Sequence, residues 1–284
     1  MKKNRKPLST LLRAPMGAVD VTRIPSDATP GYPGKTKKDA LKLTAKAGRQ
    51  LGPLQECLFA NGKENPNAPK LLLVLQGMDT AGKGGVVSHT VGLVDPQGIK
   101  LHAFKQPTEE EKQHDFLWRI SNALPGPGII GVFDRSQYED VLVQRVDSIV
   151  PQEVWEKRYD QINEFEAGLV EGGMTIIKCF LHISPDEQKK RLSARLEDPT
   201  KYWKFSPNDV EVRAKWPAYM DAYSAALERC NTDAAPWYVI PSDKKWYRNW
   251  AVAELLREKL AAMQLSWPSP DYNIEVEKER VKKS

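Results

Sequence analysis

Residues Leu71–Leu75 form an unbroken apolar run, and a glycine loop follows, Gly77-Met78-Asp79-Thr80-Ala81-Gly82-Lys83. So short a run, with no polar alternation, fits a strand buried on both faces, as in parallel sheets covered by helices. The loop has phosphate-loop spacing, in which backbone N–H groups and a helix N-terminus surround an anion. Together the two restrict the chain to an α/β architecture with its ligand at the carboxyl ends of the strands. The match has two departures. Gly84 stands where a Ser or Thr hydroxyl ordinarily helps to hold Mg²⁺, and Asp79 places a carboxylate in a loop that usually avoids negative charge.

Beyond the loop, short apolar segments alternate with longer amphipathic ones. Strands are expected at 71–76, 100–105, 128–134, 174–183 and 237–241. A helix is expected from about Lys38 to Asn61, stopped at Asn61-Gly62. Thr108 and Glu111 form a capping box that opens another. Pro151 suits the first position of a helix that ends at Gly172-Gly173, and Ser184 caps one running through Glu197. A helix over 208–229 must start or kink at Pro217, and the last spans 243–263. This βαβ alternation implies one domain with a parallel sheet covered on both sides. The domain is assigned to 38–265, with an extended basic N-terminal arm over 1–37 and a C-terminal tail over 266–284. In the arm, Lys2, Lys3, Arg5 and Lys6 suit either an anionic surface or a solvated tail.

At 284 residues, 40% hydrophobic and 28% charged, the chain is of ordinary globular composition, which excludes disordered and fibrous classes. Its formal charge of +5 suits an anionic partner without requiring one. No apolar segment is long enough for a membrane span, and Arg13 and Pro15 interrupt any signal-type hydrophobic region. Cys57, Cys179 and Cys230 show no CxxC spacing and read as reduced thiols, so a cytoplasmic protein is expected. The four histidines have no zinc-ligand spacing.

A second motif ends the 128–134 strand in Asp134, followed by Arg135-Ser136. In phosphate-loop proteins a neighbouring strand delivers such an acid to the metal beside the phosphates. Two nearby carboxylates repel unless a cation lies between them, so Asp79 and Asp134 together imply Mg²⁺, with Mn²⁺ as a substitute. Asp79 then replaces the missing hydroxyl as ligand and can receive a proton; the alternative is that it caps the following helix. A third cluster comprises Arg191, Arg195, Lys201 and Lys204. Arg195, Lys201 and Lys204 suit a mobile lid (191–209) that brings positive charge onto a transferring phosphoryl group, whereas Arg191 reads as part of a solvated helix face. Lys105, Arg119 and His102 are candidates for a phosphate channel, His102 equally for a structural role. Phe116 and Trp118 read as core, and His89 as structural or solvated.

These motifs resemble those of the family 2 polyphosphate kinases. The likeness rests on GMDTAGKGG, DPQG (95–98), FKQPTEEE (104–111), HDFLWR (114–119), FDRSQYEDVL (133–142), RLSARLEDPTKYWKFSPND (191–209) and WYVIPSDKKWYRNW (237–250). The resemblance implies a three-layer α/β/α sandwich with a helical lid, similar to thymidylate kinase and other P-loop kinases, assembled as dimers or tetramers. It implies Mg²⁺-dependent phosphoryl transfer between inorganic polyphosphate and adenine or guanine nucleotides, from AMP and ADP to ADP and ATP and in reverse. Nucleic acid and membrane are not expected partners. By the same resemblance Gly77, Ala81, Gly82, Lys83 and Gly84 bind phosphate with Lys105, Lys201 and Lys204. Asp79, Lys83, Asp134, Arg135 and Arg195 are catalytic, and Arg135, Tyr138, Glu139 and Asp140 bind the nucleotide. Tyr138-Glu139-Asp140 resembles the subgroup acting on mono- and diphosphates, whereas Asp134 stands where that subgroup often has Asn. Gly85 occupies a place where a less flexible or acidic residue is expected. The competing readings are a nucleotide kinase that takes its phosphoryl group from ATP, against which Gly84 and Asp79 argue, and a non-catalytic polyanion-binding protein.

Overall fold

The structure, a computed structural model, describes residues 6–284. Its centre is a sheet of five parallel strands: β1 (Lys70–Gln76), β2 (Ile99–Ala103), β3 (Ile130–Asp134), β4 (Met174–His182) and β5 (Trp237–Pro241), in the order β2-β3-β1-β4-β5. The helices are α1 (Leu8–Leu12), α2 (Lys37–Glu64), α3 (Lys83–His89), α4 (Trp118–Ala123), α5 (Val143–Val146), α6 (Gln152–Glu171), α7 (Pro185–Glu197), α8 (Asn208–Ala214), α9 (Trp216–Arg229), α10 (Lys245–Ala262) and α11 (Ile274–Lys283). Every strand lies where the apolar segments place it, within a few residues.

β1 lies at the centre of the sheet, and Leu71–Leu75 are all buried. Leu71, Leu73 and Leu75 face a core shared with α2 and α10; Leu72 and Val74 face the opposite core, shared with α4 and α6. Helices therefore cover both faces, in three layers. β1 pairs with β3 so that Leu75 is opposite Asp134, which brings the ends of the two motif-bearing strands together. The chain leaves β1 towards β2 and later leaves β3 towards β4 on the other side, so the glycine loop sits at a switch point, the usual ligand crevice of such sheets.

Two expectations are corrected. The N-terminal segment is not an extended arm over its described part. Leu8 and Leu12 are buried against α10, the amides of Leu8 and Ser9 donate to the Glu258 carboxylate at 2.7 and 2.9 Å, and Arg13 bridges antiparallel to Tyr238. This contact covers the outer edge of β5, which an open sheet would otherwise expose. Lys2, Lys3 and Arg5 lie outside the described residues. The Thr108–Glu111 capping box forms in both directions but opens only a single turn, Glu111–Gln113. There the Asp115 carboxylate accepts from the Leu117 amide and starts a new turn. The stretch over 208–229 divides at Lys215 as Pro217 requires, the proline taking the first turn of α9. Among the described residues no helix is long and apolar enough to cross a membrane.

Candidate active site at the strand ends

The glycine loop leaves β1 through Gly77 at φ 155°, where a Cβ would press on the Leu181 carbonyl, and enters α3 through Gly82 at φ 109°. Thr80 between them also has positive φ, 65°. Such a backbone persists only where its surroundings over-determine it. Here they do. Arg191 donates to the carbonyls of Thr80 and Ala81 at 2.8 and 3.2 Å, Arg248 to that of Ala81 at 3.0 Å, and Gln188 to that of Asp79 at 3.1 Å. Lys83 Nζ folds back onto the Gly77 carbonyl at 2.9 Å. The reading of Arg191 as solvated is thus overturned: it is 7% exposed, and apart from Glu187 its acceptors are carbonyls remote in sequence, those of Thr80, Ala81, Ser242 and Asp243.

Gly84 differs from its neighbours. A Cβ there meets nothing within 4 Å, so no steric reason excludes a serine or threonine. Gly85 is the opposite case, since a Cβ there would crowd the Arg248 guanidinium.

Asp79 does not cap α3, whose N-cap is Gly82 without a side-chain bond. Its carboxylate instead accepts from Arg135 Nη2 at 3.0 Å. Arg135 sits just after β3 with φ 68°, a strained value for a non-glycine residue. Glu139 foremost, then Asp79 and Asp134, raise its pKa, against the opposing effect of burial. The cation that repulsion among these acids calls for is thus supplied here by a guanidinium. Asp134 is half-buried at the strand end and takes part in no ion pair among the described residues. No group of three His, Cys, Asp or Glu side chains gathers as a metal site among the described residues. A metal held by two carboxylates would complete its shell with water and substrate oxygens, which is how Mg²⁺ is usually bound.

Beside this centre opens a cavity of about 630 Å³. Gly77, Asp79, Lys105, Arg135, Glu139 and Asp140 line it, as do Phe116, Arg119, Arg158, Tyr219 and Tyr223. Phe116 is half-buried and packs against the hydrophobic core while also forming part of the cavity wall under the Arg158 guanidinium, and Trp118 is half-buried and stacks on His114. Arg119 is buried and donates to the Lys105 carbonyl at 2.9 Å. Asp140 meets Arg158 at 3.1 Å, yet burial outweighs Arg158 and Arg119 and raises its pKa to about 6. His102 packs against Phe104 and lies outside the lining, and His89 is exposed.

Tyr138 cannot meet a nucleotide. It is fully buried, its hydroxyl donates to Glu166 at 2.9 Å and accepts from Lys178 at 2.8 Å, and burial followed by Glu166 pushes its pKa well above 10. Its role is to anchor the turn that presents Glu139 and Asp140. Lys201 and Lys204 are exposed and outside the cavity lining; Lys201 pairs with Asp198, and Lys204 lies over Trp203. Arg195 is held between the Lys204 carbonyl (2.7 Å) and Asp209 (3.1 Å). Asp209 is buried, and burial followed by the charge of Asp79 raises its pKa, so the base of this segment is electrostatically joined to the glycine loop.

The family model of Polyphosphate kinase 2 (PPK2) matches residues 36–267. The AMP/ADP-polyphosphate phosphotransferase of Meiothermus ruber is 45% identical over 257 residues, covering 90% of this chain and 94% of that protein. The ADP-polyphosphate phosphotransferase of Rhodopseudomonas palustris is 39% identical, covering 88% of each. The crystal structure of polyphosphate kinase 2 from Arthrobacter aurescens TC1 superposes with a TM-score of 0.94 at 51% identity, covering 99% of this chain and 98% of that one.

Proposed function

Since this chain belongs to the polyphosphate kinase 2 family, we propose that it transfers phosphoryl groups between inorganic polyphosphate and nucleotides, with both AMP and ADP as acceptors. The observation that carries this reading is the Asp79–Arg135 pair at the wall of the cavity, beside Asp134 and next to a loop whose carbonyls are tied back by arginines. Tying the carbonyls outward leaves the loop amides free to face an anion. The cavity has the size of a nucleotide site, and its cations Lys105, Arg119 and Arg158 suit a phosphate-bearing acceptor.

Phosphoryl transfer asks for little covalent chemistry, so positioning and charge do most of the work. In this reading Asp79 and Asp134 would hold a divalent cation, Mg²⁺ or Mn²⁺, which would offset charge developing on the transferring group. Lys83 leaves the Gly77 carbonyl for a phosphate oxygen, and Arg135 exchanges Asp79 for the transferring group. Arg195, Lys201 and Lys204 approach only when the 191–209 segment closes over the site. The donor comparison tests the reading: with Mg²⁺ present, AMP, ADP, GMP and GDP are each incubated with polyphosphate or with ATP. ADP and ATP formed from polyphosphate support it. Nucleotide products from ATP alone, or from neither donor, would refute it.

A further inference from the structure

Arg248, in the first turn of α10, is 3% exposed, and its hydrogen-bond acceptors among the described residues are all neutral. Nη1 donates to the Ala81 carbonyl at 3.0 Å, while Nε and Nη2 donate to Asn249 Oδ1 at 3.1 and 2.9 Å. Arg191 shares the Ala81 carbonyl and has Glu187 at 2.8 Å as its counter-charge. Two buried guanidinium groups thus meet on one carbonyl with one carboxylate between them. A buried charge is ordinarily paired, because leaving it unpaired sacrifices its hydration. Burial, and then the like charge of Arg191, lower the pKa of Arg248.

The loop sequence is cut to fit this arginine. A Cβ on Gly82 or Gly85 would collide with its guanidinium, whereas Gly84 between them is sterically open. Gly82 is required by its positive φ as well, whereas at Gly85 the Arg248 guanidinium is all that a Cβ would meet. We propose that Arg248 is a positioning residue for the phosphate-bearing substrate. It fixes the Ala81 peptide from behind and supplies an unneutralised charge that the phosphate chain completes. The inference rests on the proposed function for the identity of the anion, not for the charge imbalance.

Wild type, Arg248→Met and Arg248→Lys are compared by thermal denaturation with and without tripolyphosphate, and by initial rates with polyphosphate and ADP. Without ligand, Arg248→Met should melt no lower than wild type, because a costly charge has been removed. Its tripolyphosphate-induced rise in melting temperature should fall to less than half, and KM for polyphosphate should rise about 10-fold or more. Arg248→Lys, which keeps the charge and loses the fork, should retain most of the thermal shift while kcat falls. An Arg248→Met protein with an unchanged tripolyphosphate shift and unchanged KM would overturn the proposal. So would failure of both variants to fold, which would make the residue purely structural. A wild type that is stabilised by tripolyphosphate but transfers nothing would instead count against the proposed function.

Discussion

Replacing Lys178 by methionine perturbs the most deeply buried charge among the described residues. Lys178 lies in the middle of β4 with no exposed surface, and donates to Glu166 at 2.6 Å, to the Tyr138 hydroxyl at 2.8 Å and to the Cys230 carbonyl at 2.7 Å. Methionine fills similar volume but leaves the Glu166 carboxylate, 1% exposed, without its counter-charge and the Cys230 carbonyl without a donor. Breaking a buried pair from one side costs about 3–5 kcal/mol. At roughly 2–3 °C per kcal/mol for a domain of this size, the melting temperature should fall by about 6–15 °C. Because Glu166 also accepts from Gln137 at 2.9 Å and from Tyr138, the turn after Arg135 should loosen and phosphotransfer should drop with stability. The assay is thermal and urea denaturation of Lys178→Met, Glu166→Leu and the double variant. The double variant should lose clearly less than the two single losses added together, since neither charge is then stranded. A single variant melting within about 2 °C of wild type, or strictly additive losses, would refute the reasoning.

Two further expectations concern the glycine loop and the cavity. Gly84→Ser should fold and gain up to about 0.5 kcal/mol of stability with little change in rate, whereas Gly85→Ala should lower the melting temperature through steric overlap with the buried Arg248 guanidinium, and the rate by shifting it; melting curves and initial rates check both. Asp140 has a folded-state pKa of about 6 against an ordinary 3.8, so the folded protein takes up its proton while the unfolded chain stays ionised; its contribution to stability is unfavourable at neutral pH and that cost is relieved as pH falls through 6. The same protonation removes a negative charge from the cavity wall, so KM for the nucleotide should fall below about pH 6 in wild type relative to Asp140→Asn, and identical pH profiles would contradict this.

The sheet was legible because a strand buried on both faces leaves an apolar run that nothing else in the chain imitates, as at Leu71–Leu75. The helix starts were legible where capping is local: Ser184 accepts from the Glu187 amide, as its spacing implies. What escaped were residues whose partners are remote in sequence. Arg191 and Glu187 form an i,i+4 pair that looks like an exposed helix face, yet the arginine reaches Thr80 and Ala81 through the fold. Arg248 carries no local signal at all, except that Gly82 and Gly85 leave room for it. Tyr138 was misplaced because Tyr138-Glu139-Asp140 reads as one polar motif, although the turn points the tyrosine into the core and Glu139 towards the cavity. In the N-terminal segment, lysines, prolines and glycines obscured the spacing of Leu8 and Leu12, which is the spacing of a docked helix.

In the proposed reaction the acids at the ends of β1 and β3 carry transfer from polyphosphate. The most direct measurement is the rate of ATP formation from ADP and polyphosphate, with Mg²⁺, by wild type, Asp79→Asn and Asp134→Asn, with polyphosphate binding measured in parallel. Each variant should lose about 10²-fold or more in kcat, equivalent to about 2.7 kcal/mol of transition-state stabilisation, while still binding polyphosphate. Undiminished transfer in either variant would show that these two carboxylates do not carry the reaction.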